Sequence, residues 1–70
     1  MKSIDLHGVR HKDASDMMVR CCSEHEVPFV VITGKSYQMK RIVAAVAAKF
    51  GLKVRDVINN PGRVIIYEEG

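Results

Sequence analysis

The chain has 70 residues, an apolar fraction of 47% and a formal charge of +3, enough for one domain with one modest core and too little for a second. The longest apolar run, "VPFVVI", is far too short to cross a bilayer, and the N-terminal "MKSIDLHG" lacks the apolar stretch of a signal peptide, so the expectation is a cytoplasmic protein with no membrane partner. No block of five or six like charges occurs, so the mildly basic balance permits a polyanionic partner without asserting one.

Residues 2 to 7 read as a first strand, with Ile4 and Leu6 on one face and Asp5 and His7 on the other. From Ala14 the apolar positions Met17, Met18, Cys21 and Cys22, continuing to His25, keep the three-and-four spacing of an amphipathic helix. That helix is expected to end near Glu26, because Pro28 disfavours helical dihedrals in the residue before it. "FVVIT", residues 29 to 33, reads as a central strand bounded by Pro28 and Gly34. A second helix follows from the spacing of Met39, Ile42, Val43, Val46, Ala47 and Phe50, with Gly51 closing it. "LKVRDVI" reads as a third strand, "NNPG" at residues 59 to 62 as a type II turn, and "RVIIY" as a last strand returning in an antiparallel hairpin.

Strand-helix-strand units imply parallel strands, so the first and second strands are expected to run parallel, and likewise the second and third. Each helix has one apolar stripe, which places both on the same sheet face and leaves the other wet. The expected fold class is a two-layer α/β sandwich, β-α-β-α-β-β, with a mixed four-stranded sheet.

In such sheets ligands bind at the C-terminal edge of the parallel strands. Two loops meet there: one carries Asp5, His7, Gly8, Arg10 and His11, the other is "TGKS", Thr33 to Ser36. The second loop opens a helix, whose free N–H groups and positive dipole end favour an anion, with Lys35 adding a full charge and Lys40 and Arg41 following one turn on. A P-loop is excluded, since the glycine it requires five positions before Gly34 is Phe29. His7 suits a general acid or base at a phosphodiester, and Asp5 either orients its imidazole or holds a cation. Tyr37, at a helix start, reads as packing rather than as a stacking surface for a base. Cys21 and Cys22 read as reduced core residues. Zinc held among His7, His11, Cys21, Cys22 and His25 is disfavoured, because adjacent cysteines on a helix point about a hundred degrees apart.

Taken together, "IDLHGVRHKDA", "VITGKS" before a helix and a Pro-Gly step into a final apolar strand resemble the Smr (small MutS-related) domain family over essentially the whole chain, residues 1–70. Its Leu-Asp-x-His motif matches at Ile4, Asp5, Leu6 and His7, followed by Gly8. Its Thr-Gly-x-Gly motif matches at Thr33, Gly34 and Lys35, with Ser36 standing where the family has glycine; of the family's Gly-rich approach to the last strand only Gly62 remains. The resemblance implies a fold similar to the C-terminal domain of translation initiation factor three and an endonuclease that nicks DNA or cleaves RNA. In that reading Asp5 and His7 are catalytic, and Gly34, Lys35, Ser36, Arg10 and Lys40 meet the substrate phosphates. Mg or Mn through Asp5 stays open as a cofactor. The alternative is a DNA- or RNA-binding module of the same fold without catalysis, and a third class is an interaction module that pairs through its sheet edge or face.

Overall fold

The structure is a computed structural model and describes residues 1–24 and 27–69. Its elements are β1 (Lys2–Asp5), α1 (His11–Glu24), β2 (Phe29–Ile32), α2 (Tyr37–Lys49), β3 (Lys53–Val57) and β4 (Asn60–Tyr67). Together they make an α/β fold with two helices and a mixed four-stranded sheet in the order β1-β2-β4-β3. No helix among the described residues is long and apolar enough to cross a membrane.

β1 and β2 pair in parallel, as expected. β2 and β3 run in the same direction but never touch, because β4 lies between them and is antiparallel to both. The residues explain this order. β4 carries the apolar run Val64, Ile65, Ile66 and gains from neighbours on both sides, whereas β3 carries the charged Lys53, Arg55 and Asp56, which suit an edge.

Phe29, Val31, Val64 and Ile66 point to one face and are buried there, with Ile4 and Val54 packed beside them. Ala14, Met18 and Cys21 of α1 and Met39, Val43, Val46 and Ala47 of α2 belong to the same core cluster, so both helices cover that face. The opposite face carries Asp5, Ile32 and Arg63 in one cross-strand row and Ser3, Val30, Ile65 and Arg55 in the next.

Two boundaries differ from the sequence reading. β1 stops at Asp5, because the Asp5 carboxylate accepts the His7 backbone N–H at 2.9 Å and the chain then turns through Gly8 at φ +82. α1 begins at His11, ahead of the apolar stripe that starts at Ala14, its first turn closed by the Ala14 N–H donating to the Arg10 carbonyl at 2.8 Å. His25 and Glu26, where the end of this helix was expected, lie outside the described residues.

The second difference is the last turn. The chain reverses at Ile58 and Asn59, not at Pro61-Gly62, and Asn59 takes the left-handed conformation at φ 62, which asparagine tolerates. Val57 pairs with Asn60 and Asp56 with Val64, so Pro61, Gly62 and Arg63 bulge from the β3–β4 ladder, where proline has no ladder bond to donate. α2 ends as expected. The Gly51 N–H donates to the Ala48 carbonyl and the Leu52 N–H to that of Ala47, the paired bonds of a Schellman closure, with Gly51 at φ +72.

Candidate functional site

The bulge in β4 matters because antiparallel pairing sets the start of that strand beside the end of β2. The Gly62 carbonyl accepts the N–H groups of Thr33, at 2.8 Å, and Gly34, at 3.0 Å. Thr33 is 2% exposed, and its hydroxyl is shared between the carbonyls of Gly34, at 2.8 Å, and Gly62, at 3.3 Å. A buried hydroxyl without partners would be costly, so these bonds tie the second loop to the bulge.

Gly34 sits at φ +67, and a Cβ built there would lie 2.7 Å from His7 Cδ2. The His7 ring therefore rests directly over this glycine, and the two loops singled out in the sequence meet in space. The imidazole is exposed and makes no hydrogen bond to another described residue. Asp5 does not orient it. The carboxylate holds the backbone of His7 instead, as an Asx turn.

Ser36 is the N-cap of α2, at φ −73 and ψ 114, and its hydroxyl accepts the Met39 N–H at 3.1 Å. Positive φ is not needed at this position, so serine in place of glycine introduces no backbone strain. With Met39 and Lys40 bonded back to Ser36, the N–H groups of Tyr37 and Gln38 have no partner among the described residues. They face outward at the positive end of the helix, and the exposed Lys35 side chain, which makes no ion pair with a described residue, stands next to them.

The remaining expected contacts are placed less favourably. Arg10 is exposed just before α1, one loop away from Lys35. Lys40 turns toward β3, its Nζ 3.9 Å from Asp56 Oδ1. Asp56 is 77% exposed, so this pair adds little stability, but it aims Lys40 at the strand farthest from β1.

Cys21 is buried and Cys22 half-buried, both as free thiols. Burial pushes both thiols above their ordinary range, with nearby Glu24 adding to the effect at Cys21. No group of three His, Cys, Asp or Glu side chains that could hold a metal ion occurs among the described residues, and His25, one of the zinc candidates, lies outside them. A resident divalent cation fits poorly as well: Asp5 is a single carboxylate with one oxygen already accepting the His7 N–H.

Sequence reasoning missed Thr33 as a latch, Gly62 as a third wall and Arg63, which sits exposed in the same open-face row as Asp5. Placing both apolar strands, β2 and β4, side by side at the centre of the sheet would have brought all three to this edge. Tyr37, read as packing, is instead 69% exposed. In comparison with known proteins, no family model, no curated sequence and no solved structure matches this chain.

Proposed function

We propose that the chain is an Smr-like nucleic-acid endonuclease, a cytoplasmic domain whose fold is similar to the C-terminal domain of translation initiation factor three. The observation that carries this reading is the contact of the His7 ring with Gly34, which joins the two motifs of the resemblance into one surface. A cytoplasmic setting agrees with two free, partly or fully buried thiols.

A phosphodiester fits against the free N–H groups of Tyr37 and Gln38, with the Lys35 ammonium countering its charge. From there the exposed imidazole of His7 serves as the proton acceptor for an attacking ribose hydroxyl or water, and the imidazolium returns a proton to the leaving oxygen as the P–O bond breaks. Asp5 acts through the backbone, fixing where the His7 side chain leaves the chain. Any divalent cation in this scheme would draw most of its ligands from the substrate phosphate.

Structured RNA and supercoiled plasmid, each incubated with the protein with and without a chelator, test the proposal. Cleavage of at least one substrate is expected, and His7→Ala should slow it by about 100-fold or more at an unchanged circular dichroism spectrum. Full activity in His7→Ala sinks the catalytic assignment. One observation favours the second reading, a binding module without catalysis: the Asp5 carboxylate is bonded to the His7 backbone, and the imidazole has no orienting partner among the described residues. That reading expects salt-sensitive binding weakened by Lys35→Ala, with no product under any metal.

A further inference from the structure

Beside the candidate phosphate position runs a groove that the catalytic reading does not use. Gln38, Arg41, Ile42 and Ala45 line it along one flank of α2, and His11 borders it from the start of α1; the groove is open to solvent and measures about 330 Å³. Ligand sites run from about 300 to 1,000 Å³, so this one admits a small flat group rather than a large molecule. Ile42 and Ala45 supply its apolar part, while His11 and Arg41 supply planar cationic or polar groups and Gln38 an amide that both donates and accepts. No carboxylate of a described residue lines it.

Arg41 is also held from outside the groove. Its guanidinium carbon lies 6.0 Å from the centroid of the Tyr37 ring, one helical turn earlier, and that ring is 69% exposed. An exposed tyrosine carrying an arginine on a helix start is a flat, cationic platform. It stands two positions beyond Lys35, so the platform adjoins a phosphate resting at the start of α2.

We infer that the Tyr37–Arg41 platform and its adjoining groove dock one unpaired nucleobase of a single-stranded nucleic acid, flanking the phosphate held at Lys35. The inference rests on the phosphate-binding reading above and names the substrate class it serves. Aromatic and guanidinium faces stack on any base, and the base must be unpaired, because a duplex keeps both faces of its bases covered. Charge agrees: the lining offers Arg41 to a polyanion and, among the described residues, nothing that repels it.

The test compares a dye-labelled oligothymidylate with an abasic strand of the same length by fluorescence anisotropy. The parent protein should bind the thymidylate about ten-fold more tightly. Tyr37→Ala should erase that preference, Tyr37→Phe should keep it, and Arg41→Lys, which retains the charge without the plane, should reduce it. Equal affinity for the two strands, with abasic binding still dependent on Lys35, overturns the base site and leaves the phosphate reading standing. Failure to bind either strand, or binding indifferent to Lys35→Ala, overturns the phosphate reading and this inference with it.

Discussion

The loops that follow the two parallel strands both turn through a glycine in the left-handed region, Gly8 at φ +82 and Gly34 at φ +67, and there the likeness stops. A Cβ at Gly8 would meet nothing within 4 Å, whereas one at Gly34 would lie 2.7 Å from the His7 ring. The first glycine answers only to its own backbone. The second answers to its backbone and to a side chain from the other loop, and its neighbours Thr33 and Gly62 lock it there through hydrogen bonds. Identical backbone chemistry thus serves a free turn in one loop and a fitted surface in the other.

Alanine at each position separates these roles most sharply. Both substitutions impose left-handed strain of about 1–2 kcal/mol, visible as a lower midpoint in urea unfolding. Only Gly34→Ala also displaces the imidazole, and a shift near 1 Å at a catalytic group costs about 100-fold in rate. Gly8→Ala should therefore lose stability and keep its specific activity, while Gly34→Ala loses both. Equal losses of activity would show that the His7–Gly34 contact has no part in the chemistry.

A smaller effect is expected at Asp5, which shapes the free loop from the strand side. Asp5→Ala removes a bond to the His7 backbone N–H, worth about 1 kcal/mol, and should lower activity by about five-fold through misplacement of His7. Asp5→Asn keeps an acceptor at the same place and should stay near the parent in activity. Cleavage rates of the two variants decide the matter: if asparagine is as damaging as alanine, the negative charge itself acts on the imidazole.

The same contrast explains what could be read from the sequence. Apolar periodicity identified the six elements and their types, and the pairing of β1 with β2 followed from the helix between them. The glycine-bearing loops were recognised because Gly8 and Gly34 interrupt clear strand patterns. The position of β4 was missed, since "NNPG" reads as a complete turn and nothing local says that Asn59 turns alone while Pro61 and Gly62 bulge toward β2. That bulge is a tertiary fact: its Gly62 carbonyl accepts the N–H groups of Thr33 and Gly34, residues far away in sequence. The Lys40 ion pair was out of reach for a related reason, because helical position puts the residue near the loop while its partner, Asp56, lies on a strand distant in sequence.

Ser36 is where the loop departs from the family pattern, and it carries the smallest effect of the series. At φ −73 the position has no use for the special freedom of glycine, and the hydroxyl caps the Met39 N–H. Ser36→Gly, which restores the motif, should cost only a few tenths of a kcal/mol in stability, while Ser36→Ala should cost about 1 kcal/mol, both read from denaturant midpoints. Neither should change affinity for an abasic strand by much, because the N–H groups left for a phosphate are those of Tyr37 and Gln38, beyond the cap. A large gain in binding or cleavage on Ser36→Gly would show instead that the loop must reach a left-handed conformation at this residue when nucleic acid binds, and that the contact between His7 and Gly34 is only half of the working geometry.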